Sequence, residues 1–193
     1  MGQDQTSRIR SLLVLGGARS GKSAYAQKLA EAYGPNRLYL ATAQAGDEEM
    51  AARIARHQAD RGPGWTTLEE PLEVARTLAA EARPPRVIVV DCLTLWLSNL
   101  MLAGRDLPRA IASLADAIGA LAGPAILVSN EVGMGLAPDH KLGREFRDWQ
   151  GRTNGEIARV CDAVIFVAAG LPLQLKPAAT PSVQLGWNQA FSS

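Results

Sequence analysis

The sequence predicts an α/β domain built around a mainly parallel sheet. Short β-branched or leucine-rich runs alternate with longer helical patterns, the order that parallel strands and crossover helices produce. The short runs (VIVV, AILV, AVIFVA) are continuously apolar rather than alternating, as strands covered by helices on both faces are. A length of 193 residues, 47% hydrophobic and 20% charged, suits one globular domain with a sizeable core.

Taken in order, the predicted strands are Ser11–Leu15, Arg37–Ala41, Val87–Asp91, Ala125–Ser129 and Ala163–Ala168. Leu171–Lys176 (LPLQLK) reads as a final edge strand, because Pro172 lacks the N–H that a central strand needs. Helical spacing marks Lys22–Tyr33, Asp47–Asp60, Leu72–Ala82, Leu95–Leu102, Leu107–Leu121 and Leu142–Val160. The domain is expected over residues 11–176, with a flexible N-terminus over 1–10. Residues 177–193 are rich in Pro, Ala and Ser and read as a poorly ordered or docking tail, Trp187 being the residue suited to docking.

Bulk properties narrow the function. Lys plus Arg is 20 against 19 for Asp plus Glu, so no basic footprint for nucleic acid or an anionic membrane exists. The polar start MGQDQTSRIRS lacks the apolar core of a signal peptide. Apolar stretches run about five to eight residues, far short of a membrane span. Cys92 and Cys161 sit in or beside apolar runs and read as reduced, buried side chains of a cytoplasmic protein.

The strongest chemical signal is Gly16-Gly17-Ala18-Arg19-Ser20-Gly21-Lys22-Ser23, which matches GxxxxGK[ST] between an apolar strand and a helical pattern. Glycines let the backbone wrap phosphates closely, and amides at a helix start meet their negative charge. Lys22 adds a positive charge toward the β- and γ-phosphates, and Ser23 can ligate Mg²⁺. With this motif the alternation predicts a P-loop NTPase-like three-layer fold, its sheet mainly parallel with an antiparallel edge strand. VIVVDCL ends a buried strand in Asp91, at the sheet edge where such folds bind ligands. Asp91 is either a second Mg²⁺ ligand or the cap of the next helix.

DEEMAARIARHQADR holds one of the two histidines. On a helix Met50, Ile54 and His57 share a face, and Arg53 neighbours His57, with Arg56 and Arg61 adding charge nearby. Spacing leaves two readings of His57 open: a hydrogen-bonded core histidine, or a nucleophile that attacks a nucleotide phosphorus to give a phosphoramidate. No NKxD-type segment of a GTPase switch is present.

In this order, GGARSGKS, YLATA, DEEMAARIARHQADRGPGWTTLEEP, VVDCLTLWLSNL and VSNEVGMGLAP resemble the bifunctional adenosylcobinamide kinase/adenosylcobinamide-phosphate guanylyltransferase family of cobalamin biosynthesis. The resemblance spans about Leu12 to Lys176. It implies phosphorylation of adenosylcobinamide from ATP or GTP. GMP then passes from GTP through a histidine, matched by His57, to adenosylcobinamide phosphate. By the same resemblance Gly16–Ser23, Ala41, Thr42, Ala43, Gln58, Ala59, Asp60, Arg61, Glu69 and Asp91 fall on nucleotide-binding positions, and a homotrimer is implied.

The chemistry of these positions adds expectations. Thr42 lies just past a strand end, where its hydroxyl and neighbouring amides can reach a ligand. Glu69 either accepts from a guanine edge or ribose, or starts the helix after Pro71. Asn130 and Glu131 face the same rim, and the glycines around Met134 suggest a mobile loop over substrate. Gly155 stands where the family more often has glutamine, at a helix-interior cost of about 1 kcal/mol. His140 is expected to cap or decorate a loop. Two rival functions fit less of the sequence: a small-molecule kinase that does not guanylylate, and a nucleotide-sensing ATPase module.

Overall fold

The computed structural model describes residues 9–44, 62 and 64–177. The helix expected over Asp47–Asp60 and the two terminal segments beyond residues 9 and 177 lie outside the described residues. In chain order the elements are β1 (Ser11–Gly16), α1 (Lys22–Tyr33), β2 (Arg37–Ala41), β3 (Trp65–Glu69), α2 (Val74–Glu81), β4 (Val87–Asp91), α3 (Leu93–Leu102), α4 (Leu107–Gly119), β5 (Ala125–Asn130), α5 (Lys141–Val160), β6 (Ala163–Ala168) and β7 (Leu171–Lys176).

The strands form one seven-stranded sheet in the order β3-β2-β4-β5-β1-β6-β7. All neighbours pair in parallel except β6 and β7, which are antiparallel. Every residue of β1 is buried, as are the four apolar residues of β4, which explains their unbroken apolar character. Alternate side chains serve two cores. Leu13, Leu15, Leu38, Leu40, Ile88 and Val90 meet Leu78, Trp96, Leu114 and Ile157 from α2 to α5. Leu12, Val14, Tyr39, Val87, Val89 and Val128 face the other way, onto Ala26 and Ala30 of α1. The small side chains of α1 let that helix lie close to the sheet.

The predicted edge strand is β7, on one flank, and β3, which sequence reading did not identify, forms the other. Four of the five residues in WTTLE are exposed, so no apolar run marked it. The β6–β7 connection is the two-residue turn Ala169–Gly170, with φ of 51° and 80°. Two positive φ values are what a type I′ turn requires, and they match the twist of the paired strands.

Helix ends are tied by local chemistry. Asp106 accepts from the Arg109 amide at 3.0 Å to start α4. His140 starts α5, its Nδ1 accepting from the Gly143 amide at 3.0 Å, which fulfils the capping expectation. At the far end of α5, Lys176 Nζ donates to the carbonyls of Ala158 (3.1 Å), Arg159 (2.8 Å) and Cys161 (2.5 Å). A cation there meets the negative end of the helix dipole. Both cysteines are free and buried. Burial pushes the Cys92 thiol up to about 11 and the Cys161 thiol up to about 12, so neither is a reactive thiolate near neutral pH.

Candidate active site

The phosphate loop leaves β1 at Gly16 and enters α1 at Lys22. Gly16 has φ 153°, and a Cβ there would lie 2.3 Å from the Val167 carbonyl oxygen and 2.7 Å from Ser20 Oγ, so only glycine fits. Gly21, with φ 98°, is the left-handed residue at the start of α1, and no side chain caps the helix. The first-turn amides thus face outward without a side-chain acceptor, the arrangement that receives an anion. Ala18 and Arg19 are exposed, and Gly17 and Ser20 are partly so. The turn between β6 and β7 supports the loop from the side, Gly170 N donating to Ser20 O at 2.9 Å.

Lys22 is only 6% exposed, and its Nζ donates to Gly17 O at 2.6 Å. Burial pulls its amine below the ordinary lysine value, and the nearby Cys92 and Asp91 offset part of that shift. The amine is held inside the loop's own curve, with Asp91 within electrostatic reach. Ser23 follows on α1 and is partly exposed.

Asp91 ends β4, two strands from β1 in the sheet. It does not cap α3: the capping position is Cys92, and no side chain bonds the helix start there. Instead Asp91 Oδ2 accepts from the Tyr39 hydroxyl at 2.6 Å. Tyr39 is 5% exposed, on the face of β2 that packs toward α1, and its ring meets Trp65 edge-on at 6.1 Å.

Thr42 is placed differently from the expectation. It is fully buried, and its hydroxyl donates to Cys92 O (2.7 Å) while accepting from Cys92 N (2.8 Å). Its amide donates to Asp91 O at 3.1 Å. A threonine hydroxyl is a donor and an acceptor at once, and both capacities are used on the backbone beside Asp91. Thr42 is therefore a tie that fixes the acid, and its hydroxyl does not point at a ligand. Ala41 is buried and receives the Glu70 amide on its carbonyl at 2.9 Å; Ala43 is partly exposed.

Glu69 ends β3 beside Ala41 and is exposed. Its neighbour ties the turn before the next helix instead: Glu70 Oε1 accepts from the amides of Leu72 (3.1 Å) and Glu73 (2.8 Å). That division leaves Glu69 on the rim. His57, Gln58, Ala59, Asp60 and Arg61 lie outside the described residues.

Sequence reading missed Tyr39 and three groups that hold the rim. Asn99 Nδ2 donates to Thr42 O (2.8 Å) and Pro71 O (3.2 Å), and Trp96 Nε1 to Leu72 O (2.9 Å), so α3 clamps the β2 and β3 exits together. Behind β5, Gln150 Nε2 and Ser129 Oγ both donate to Asn154 Oδ1, at 2.9 and 2.7 Å. Asn154 Nδ2 then donates to Asn130 O at 3.0 Å. Polar residues four apart on the buried stripe of α5 were the available signal for that network.

A model of the cobinamide kinase / cobinamide phosphate guanyltransferase family matches residues 12–175. The bifunctional adenosylcobalamin biosynthesis protein CobP of Pseudomonas aeruginosa is 50% identical over 168 residues, covering 85% of this chain and 96% of that protein. The bifunctional adenosylcobalamin biosynthesis protein CobU of Salmonella typhimurium is 36% identical over 180 residues, 86% of this chain and 99% of that protein. Among solved structures, an ATPase from the type III secretion system of pathogenic bacteria superposes with a TM-score of 0.53 at 13% identity, over 86% of this chain and 57% of that one. That likeness concerns the fold alone. A family match over residues 12–175 and a relative half identical over 168 residues go further: the chain belongs to the cobinamide kinase / cobinamide phosphate guanyltransferase family.

Proposed function

We propose that this chain phosphorylates adenosylcobinamide with ATP or GTP, then guanylylates the product with GTP, giving adenosylcobinamide-GDP and pyrophosphate. The observation that carries the reading is the family match over residues 12–175, a stretch that includes the folded phosphate loop with its buried Lys22.

In the kinase step the acceptor hydroxyl attacks the γ-phosphorus, its proton leaves, and the nucleoside diphosphate departs. The loop amides and Lys22 hold the phosphates and meet the charge that builds on them. In the second reaction a neutral nitrogen of His57 attacks the α-phosphorus of GTP, expelling pyrophosphate and forming a P–N bond. A phosphate oxygen of the corrinoid then attacks that phosphorus, breaking the P–N bond and freeing the histidine. Gln58, Ala59, Asp60 and Arg61 beside the histidine, together with Ala43 and Glu69, complete the nucleotide site in this reading, and Ala41 and Thr42 support it from behind.

The donor set suits Mg²⁺. Ser23 offers a hydroxyl and Asp91 a carboxylate, both hard oxygens, and the described residues hold no cluster of three metal-ligating side chains that would favour a closed site. A Mg²⁺ held by these two oxygens would supply neutralisation of the charge on the transferring phosphate. Tyr39 holds the Asp91 carboxylate, and Thr42 the backbone beside it, in place for that role. The proposal includes a cytoplasmic homotrimer acting on small-molecule substrates without nucleic acid. No helix among the described residues is long and apolar enough to cross a membrane.

The test is covalent labelling. Protein incubated with α-labelled GTP and then denatured should carry label that is acid-labile and base-stable, as a phosphoramidate is. Unlabelled protein, or equal labelling of His57→Asn, overturns the guanylyl-histidine. Transfer of γ-label to adenosylcobinamide distinguishes a kinase from a nucleotide sensor.

A further inference from the structure

The segment that leaves β5 carries large apolar side chains into solvent: Met134 is 80% exposed and Leu136 98%. Single exposed apolar residues are ordinary. These two differ because their segment starts pinned beside the phosphate loop and ends tied to the first turn of α5. At its start Glu131 N donates to Gly16 O at 2.9 Å, Asn130 N to Thr94 Oγ1 at 2.9 Å, and Gly133 N to Glu131 Oε1 at 2.7 Å. At its end Arg144 Nη1 donates to the carbonyls of Pro138 (3.0 Å) and Asp139 (2.7 Å).

The sheet order places this tip. β5 lies between β4, which ends in Asp91, and β1, which ends in the phosphate loop. Met134 and Leu136 follow Glu131 by three and five residues, so they stay within about 10–18 Å of chain from the phosphate loop, near enough for one bound molecule to reach both. The proposed acceptor has a matching need. A corrinoid is a wide macrocycle with methyl-bearing faces, and its reacting hydroxyl or phosphate sits on a flexible arm. Polar contacts to the arm alone leave the ring free to swing, whereas an apolar rest for the ring cuts that freedom.

Resting on the function proposed above, we infer that Met134 and Leu136 form the apolar contact for the corrinoid ring, with the reactive arm directed toward the phosphate loop. The contact is a binding element, separate from the groups that handle the nucleotide.

The experiment compares Met134→Ser/Leu136→Ser with the unchanged chain, reading the Kd for adenosylcobinamide and the formation of guanylylated protein from GTP alone. The expected result is a Kd raised about tenfold or more, with labelling by GTP unchanged. Leu102→Ser removes an equally exposed leucine (81%) from the end of α3 and should change neither. An unchanged Kd overturns the inference. So does loss of GTP labelling in the double variant, which assigns the tip to the nucleotide. A change of oligomeric state at constant Kd assigns it to a subunit contact and also overturns the inference. Absence of corrinoid binding by the unchanged chain overturns the functional reading, and the inference falls with it.

Discussion

Asp91 and Asp162 stand at opposite edges of the same sheet, and each is held by hydrogen bonds whose donors differ in kind. Asp162 precedes β6 and accepts from the backbone amides of Arg10 (2.8 Å) and Ser11 (3.0 Å), while its own amide donates to Ser11 Oγ (2.9 Å). Asp91 ends β4 and accepts from a side-chain hydroxyl, with the Lys22 amine in electrostatic range. Backbone donors fasten one strand start to another. A side-chain donor orients a carboxylate while leaving its other oxygen for a ligand. Acids at the carboxyl edge of a parallel sheet are thus placed for chemistry, and those at the amino edge for assembly.

Four substitutions press on that contrast. Lys22→Ala should have the largest effect, lowering kcat of both reactions about 10²–10³-fold while the fold persists, as removal of a positioned donor does. Steady-state kinetics with circular dichroism as the folding control checks it. Tyr39→Phe deletes only the hydroxyl behind Asp91. It should raise the Mg²⁺ concentration for half-maximal binding of a fluorescent GTP analogue about tenfold, the usual cost of losing a partner behind a metal ligand. Unchanged Mg²⁺ dependence would make Tyr39 a core residue only.

Asp162→Asn should act on stability instead. Burial pushes the Asp162 carboxyl upward, but the Arg10 and Ser11 amides, the Ser11 hydroxyl and the Arg10 charge outweigh it and hold it below the usual aspartate value. A depressed folded value means that the stabilisation is present above the unfolded pKa and is lost as pH falls through the folded one. The variant should be less stable than the parent at pH 7, with the gap narrowing in strongly acidic solution, as urea unfolding at several pH values will show. The kinetics should stay unchanged.

The smallest effect is expected at Gly155, mid-helix in α5, where an added Cβ meets nothing within 4 Å. Gly155→Ala should stabilise by about 0.5–1 kcal/mol, read as a raised Tm.

Much of this architecture is local and therefore readable in one sequence. The continuous apolar strands, the glycine loop and Pro172 on an edge strand each carry their reason within a few residues. The rest depends on partners far along the chain. Tyr39 meets Asp91 across 52 positions, and Asn99 meets Thr42 across 57. Thr42 looks ligand-facing at its strand end, and only the fold brings Cys92 close enough to use its hydroxyl. Glu69 and Glu70 are identical in type, and their roles separate only when backbone geometry shows which one reaches the Leu72 and Glu73 amides just before α2. β3 escaped notice because an exposed edge strand needs no apolar run.

The phosphate loop is complete in covalent terms by Ser23, yet its side support arrives late. The Val167 carbonyl that packs on Gly16, and the Gly170 amide that bonds Ser20, come from near the end of the described chain. During synthesis the loop leaves the ribosome early without either. A nascent chain must therefore extend through the turn after β6 before this loop has its folded shape.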